Sequence, residues 1–330
     1  MTIKDKILEI EEDVLDLINT KFTYSDTDLV PNSEDSNLTF ERSVEKKGKK
    51  IETCVLYVDI RNSVKLNSKH HTQTMGRIYT ALTKSVLKIA DNYGGFIRNI
   101  IGDRVMVVFP SDNCYTKAVD CAITINHVAK YVINKHFKDV DFKCGIGIDY
   151  GELRVVKVGL QKKGSERTEN KNLVWIGYPA NIASRLTDAA NKDIEEDVYI
   201  VTRNPINPKA IRPLFGRSSF LSTSSYDPTA PYYLARVETV EMTVEDFAGN
   251  ISSIKDGELY MMGGKFIRSS KKKKKYSYPE ILMTEKVYSG FKKADPERKC
   301  IKNKYLKEIP HSLKDVNGKI YGGSITWSFK

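Results

Sequence analysis

At 330 residues, with 40% hydrophobic and 29% charged side chains, the chain can build a sizeable core in one large domain or two small ones. Its formal net charge of +11 suits an anionic ligand, a nucleotide or a nucleic acid alike. No run approaches the roughly 18 apolar residues of a membrane helix. The five scattered cysteines lack zinc-type spacing and read as reduced packing residues.

The N-terminus alternates charged and apolar residues, unlike a signal peptide, so a cytoplasmic location is expected. Ile3, Ile7, Ile10, Val14 and Leu17 recur at helical spacing, with Leu8, Leu15 and Ile18 alongside. A polar arm from about Ser25 to Lys50 follows, so residues 1–50 are expected to form an N-terminal helix and arm. Cys54–Val58 then predicts a buried strand ending at Asp59. Next comes a helix whose inner face carries Met75, Ile78, Leu82, Val86 and Ile89, closed by Gly94-Gly95. Phe96–Phe109 predicts two strands around a tight Gly102-Asp103 turn. A second helix is expected from about Tyr115 to Lys135. Phe142–Asp149 alternates as a strand, and Gly151 is expected to open a return strand, Leu153–Val158.

This β-α-β-β-α-β order predicts an α+β, ferredoxin-like core with helices packed on an antiparallel sheet. A polar loop, Gly164–Asn172, leads to the apolar run Leu173–Ile176, and Pro179 opens a further helix. Residues 192–279 have no helical period, and their Lys271–Lys275 run reads as a solvated, mobile loop. Ile281–Tyr288 is expected as a strand that hands over to a helix, and Leu306–Ile309 and Lys319–Tyr321 as further strands.

Asp59 at a strand end and Asp103 in a hairpin turn can lie side by side. A carboxylate pair suits a hard cation that also holds a triphosphate. Taken alone, the two also fit a solvated strand end and an ordinary turn. Four segments in order alter that balance: Tyr57-Val-Asp-Ile-Arg-Asn-Ser63, Ile101-Gly-Asp-Arg-Val-Met106, Cys144-Gly-Ile-Gly-Ile-Asp-Tyr-Gly-Glu-Leu153 and Gly177-Tyr-Pro-Ala-Asn-Ile-Ala-Ser-Arg-Leu186. Together they resemble the catalytic domain of class III nucleotidyl cyclases over residues 51–191, with the likeness resuming at about 280–325. Residues 51–330 are then one catalytic domain, and the stretch at about 192–279 is an insertion within it.

The resemblance implies two divalent cations, Mn²⁺ or Mg²⁺, on Asp59, Asp103 and the Ile60 carbonyl. One would activate the ribose 3′-hydroxyl, and the other would grip the β- and γ-phosphates. Turn amides of Arg61, Asn62 and Ser63 would cradle the triphosphate. Asn181 would orient the ribose, Arg185 would stabilise the transferring phosphoryl group, and Lys314 would contact phosphate, although Asp315 stands where the family has Gly. The family builds its site from two chains head to tail, so a homodimer with shared sites is expected.

Purine cyclases read the base at two positions occupied here by Asn99 and Val174, and neither purine pattern is present. These departures resemble bacterial anti-phage cyclases that make cyclic UMP or cyclic CMP to activate a separate effector protein. UTP is the favoured substrate, with CTP the other pyrimidine. An adenylate cyclase making cyclic AMP is the alternative, and a non-catalytic nucleotide- or RNA-binding ferredoxin-like module is the second. The core strands lack the exposed central aromatics of an RNA-reading sheet, so direct nucleic-acid binding is not expected, and neither is a membrane.

Overall fold

A computed structural model describes residues 2–63, 71–137, 140–159, 161–162, 165–166, 171–211, 226–255 and 258–329. The chain divides into two compact units, one made of Met1–Lys192 with Ser277–Lys330 and the other of Asp193–Tyr276.

The first unit opens with helix α1 (Ile3–Asn19), capped by a reciprocal Thr2–Asp5 capping box. Strand β1 (Phe22–Asp26) follows, then β2 (Lys46–Ile60), helix α2 (Thr72–Asn92), β3 (Phe96–Ile101) and β4 (Arg104–Val108). Helix α3 (Cys114–Val128) continues through a π turn (Ala129–Ile133) to His136, and β5 (Cys144–Val158) completes the core. Beyond it lie β6 (Asn172–Ile176) and α4 (Tyr178–Ala189). The four core strands stand in the order β5-β2-β4-β3, with every neighbouring pair antiparallel. That is the ferredoxin-like arrangement expected from the sequence.

Two local readings need correction. Gly151 opens no return strand: β5 runs straight through it, paired with β2 from Ile60↔Cys144 to Lys49↔Val155. Gly151 faces Thr53 in unbroken register, and a side chain there would meet Pro179 only at ordinary contact distance, so the glycine neither turns the chain nor is required by crowding. The hairpin return is β6, which pairs with Arg154–Val158. The arm is also not a free linker, because β1 adds a parallel strand to the start of β2. Much of the Gly164–Asn172 loop lies outside the described residues.

Alternation along the strands makes two apolar faces. One face packs Leu56, Val58, Val107 and Ile148 under α2 and α3. The other packs Val55, Met106, Val108 and Leu153 under Ala180 and Ala183 of α4. Strand β12 (Ile281–Thr284) returns beside β5, in parallel with Ile146–Ile148, and leads into α5 (Glu285–Ala294), whose Val287 and Phe291 join the first face. Strands β13 (Lys307–Ile309) and β14 (Ile320–Gly323) close that edge. All five cysteines are free and buried. Among the described residues no helix is long and apolar enough to cross a membrane.

Gly147 fixes how closely α4 lies on the sheet. A β-carbon there would overlap the Ala183 carbonyl and the Thr187 amide, both rigid backbone. Overpacking of this kind costs roughly 1–3 kcal/mol. Gly147→Ala is therefore expected to lower stability by about that amount in urea titrations, and to reduce activity because α4 carries two candidate site residues.

The second unit holds β7 (Asp193–Pro205), β8 (Glu238–Thr243), a short helix Val244–Asn250, β9 (Ile251–Lys255), β10 (Glu258–Met261) and β11 (Gly264–Ser277). Among the described residues these form a sheet in the order β8-β7-β11-β10-β9 around Val201, Met242 and Met261. The Lys271–Lys275 run is not a loop but part of β11. Lys271 pairs with Asp197 at 2.7 Å, Lys275 with Glu195 at 3.2 Å, and Lys273 and Lys274 with Glu195 and Glu241. Acidic side chains on β7 and β8 offset the repulsion that the lysine run would otherwise suffer.

Candidate active site

Strand register brings the two aspartates together. The β2–β4 ladder ends at Val58↔Val105, so the next residue on β2, Asp59, emerges beside the Gly102-Asp103 turn. Gly102 supplies the positive φ, +61°, that this tight hairpin requires. The Asp59 and Asp103 carboxylates lie within hydrogen-bond reach of each other. Burial and then the charge of Asp59 raise the Asp103 pKa, and one Asp103 oxygen, Oδ2, is buried with no partner. An orphaned, charge-crowded carboxylate is a local instability that a divalent cation would relieve, so the pair fits one. Among the described residues no three His, Cys, Asp or Glu side chains converge on a metal site, so further ligands would come from backbone, water and phosphate. The Ile60 side chain is in the core, which leaves only its carbonyl for such a role.

The Asp103 shift has a testable sign. With a folded-state pKa above the unfolded value, its contribution to stability is fully present below the ordinary carboxylate range. It is lost as pH rises through the raised pKa. Metal-free Asp103→Asn is therefore expected to melt above the wild type at neutral pH, with the gap closing on acidification. Thermal melts across that range check it.

The Ile60–Ser63 turn is more occupied than its sequence suggests. The Arg61 amide already donates to the Lys143 carbonyl at 2.8 Å, so it is not open to a phosphate. The Arg61 side chain is half-buried and donates to the Thr187 and Asp188 carbonyls at the end of α4, in space that Gly145 leaves clear. Burial lowers the Arg61 pKa. Asn62 takes a left-handed φ of +56°, the kind of turn that aims successive amides outward, and Ser63 hydrogen-bonds Asp103.

Arg104 was not singled out from the sequence, and it is the most connected group here. Its guanidinium donates to Asp59 Oδ2 at 2.7 Å, to Ser184 Oγ at 2.8 Å and to Asp188. Burial opposes its charge, but the hydrogen bonds to Asp59 and Asp188 leave its pKa raised. A cation approaching Asp59 must share that oxygen with Arg104. The signal was available: an arginine directly after the turn aspartate stands opposite Asp59 in the extended register.

Asn181 and Arg185 are four residues apart on α4, and both are exposed. Arg185 does not reach toward the aspartates. It pairs with Asp315 at 2.9 Å and donates to the Lys314 carbonyl at 3.3 Å. Asp315 adopts φ +60°, a conformation natural to Gly and tolerated by Asp, which reconciles it with the glycine expected there. Asn99 lies exposed on β3 and Val174 is exposed on β6. The residues beside them approach each other within this chain, the Arg98 guanidinium lying 5.9 Å from the centre of the Trp175 ring.

The family described as adenylate and guanylate cyclase catalytic domain matches residues 45–195, a span that includes both aspartates, Asn99, Val174 and the α4 pair. A protein named uridylate cyclase from Burkholderia cepacia is 33% identical over 186 residues, covering 54% of this chain and 76% of that protein. Others of the same name come from Gulbenkiania mobilis (26% over 200 residues, 57% and 72%) and Rhodovulum sp. (27% over 197 residues, 57% and 75%). With a ferredoxin-like core that pairs two carboxylates at a strand end and a hairpin turn, and a 33%-identical relative matched over three-quarters of its length, the chain belongs to the class III nucleotidyl cyclases.

Proposed function

We propose that the protein is a uridylate cyclase, converting UTP to 3′,5′-cyclic UMP and diphosphate. The observation that carries the base assignment is that relatives named uridylate cyclase match about half of this chain, while both purine-reading side chains are missing at Asn99 and Val174. Valine cannot accept from an adenine amino group, and asparagine carries one amide donor-acceptor pair, which suits a uracil edge. A purine would leave polar groups unpaired in the pocket, which is how such sites reject a wrong base.

In the reaction the ribose 3′-hydroxyl attacks the α-phosphorus and diphosphate leaves. Asp59, Asp103 and the Ile60 carbonyl would hold the divalent cations, which when bound would supply Lewis-acid activation of the hydroxyl and charge neutralisation of the phosphates. The amides of Asn62 and Ser63 face the triphosphate. Asn181 orients the ribose, and Arg185 leaves Asp315 to stabilise the charge that builds on the transferring phosphoryl group, with Lys314 beside it. What supports a shared site is that Arg185 turns to Lys314 and Asp315, not to Asp59. Two chains head to tail would combine them. The product would act in the cytoplasm as a messenger for a separate effector in anti-phage defence.

Purified protein incubated with each of the four nucleoside triphosphates and Mn²⁺ tests the reading. Cyclic UMP is the expected main product, and cyclic AMP as the main product would overturn it. Asn99→Lys with Val174→Asp is expected to lower the preference for UTP over ATP by roughly tenfold or more.

A further inference from the structure

Helix α1 is attached to the body by the wrong side for an ordinary surface helix. Glu12 pairs with Arg42 at 2.9 Å, and Asp16 accepts from the Ser43 amide at 2.8 Å and from the buried Lys46 ammonium at 2.9 Å. The charged side is thus turned to the protein. Every large apolar residue of the helix (Ile3, Ile7, Leu8, Ile10, Val14, Leu15, Leu17, Ile18) is 48–79% exposed. An amphipathic helix normally does the reverse.

The outward stripe has a register of its own. Ile3, Ile7, Ile10, Val14 and Leu17 are spaced four, three, four and three apart, the seam of a two-stranded coiled coil. With Ile7 and Val14 at a and Ile3, Ile10 and Leu17 at d, Lys6 falls at g and Glu11 at the following e. In a parallel pair, g meets the e of the next heptad on the other helix, so Lys6 meets Glu11 of the second copy twice over, once on each side of a two-fold axis. Lys6 now pairs with Glu9 at 2.7 Å on the exposed surface, a weak tie that is readily exchanged.

We propose that α1 pairs in parallel with α1 of a second copy of this chain, closing a homotypic two-helix seam outside the catalytic core. Charge argues against a lipid surface as the occupant: α1 carries two lysines against six acidic residues, the opposite of an interfacial helix. At 17 residues the helix is too short to hold two chains alone, so the seam adds to association made elsewhere. The inference does not depend on which nucleotide is used or on how the catalytic site is shared.

Sedimentation of the full chain without nucleotide tests it. Ile10→Asp with Val14→Asp alters only exposed positions, so circular dichroism should be unchanged while the dissociation constant rises roughly tenfold or more. Lys6→Glu alone and Glu11→Lys alone should each raise it by about fivefold, and an equimolar mixture of the two should return to wild-type affinity, because only the mixed pair is complementary. Unchanged self-association in the Ile10/Val14 variant would overturn the proposal. So would failure of the mixture to recover, or wild-type binding to anionic vesicles that the Ile10/Val14 variant loses. A defect in product formation with intact association would bear on the catalytic reading alone.

Discussion

Replacing Asp103 by alanine is expected to reduce cyclic nucleotide formation by about a thousandfold or more while leaving the metal-free protein more stable than the wild type. Both halves follow from the same geometry. Asp103 is half-buried, crowded by the charge of Asp59, and has an oxygen without a partner. Such a group costs stability when ionised and is retained only if something binds to it. Asp59→Ala should abolish activity to the same extent with a smaller change in stability. There the lost partner is Arg104, which keeps Ser184 and Asp188. Calorimetric titration with Mn²⁺ and thermal melts separate the two effects. Retention of turnover by either variant would remove the aspartate pair from the mechanism, and a fall in metal-free stability for Asp103→Ala would mean that the carboxylate is structural.

Arg104 makes this site more than a carboxylate pair. In the described state its guanidinium holds Asp59 Oδ2. A cation must therefore displace or share an arginine before the pair is fully engaged, and Asp188 offers the guanidinium a second carboxylate to keep. The α4 helix thus takes part on two neighbouring stripes. Ser184 and Asp188 steady the arginine, while Asn181 and Arg185 face outward. Gly147, which lets α4 lie directly on β5, therefore bears on both halves of the site.

The parts of this arrangement that depend on local chemistry were legible in the sequence. A buried run ending in Asp59, a Gly-Asp turn and a Pro-initiated helix each announce themselves within a few residues. What depends on distant partners was not. The β1 strand is short and mostly exposed, and its parallel partner starts some 24 residues later, at Lys46. Gly151 looks like a break because a strand glycine often is one, yet the continuous pairing of β5 with β2 overrides that local preference. The Lys271–Lys275 run reads as solvent-bound until Glu195 and Asp197 are placed on β7 and Glu241 on β8 of the same sheet. The heptad of α1 predicts a helix, but only its anchoring through Glu12 and Asp16 reveals that the apolar side faces out.

Mixing two inactive variants gives the second large effect. Arg185→Ala should lower turnover about a hundredfold to a thousandfold with little change in KM, since the charge it meets develops mainly in the transition state. Asp103→Ala is inactive for a different reason. If each site takes its aspartates from one chain and its arginine from the other, a heterodimer of the two variants places both defects in one site and leaves the other site intact. Random exchange of equal amounts makes half of the dimers mixed, each with one of two sites working. Activity should then rise from near zero to about a quarter of the wild-type value. A site built within one chain predicts no recovery at all, because every chain in the mixture carries a defect. The outward turn of Arg185 toward Lys314 and Asp315, away from Asp59, is the structural reason to expect recovery. Activity after exchange, compared with that of each variant alone, distinguishes the two outcomes without any knowledge of the base specificity.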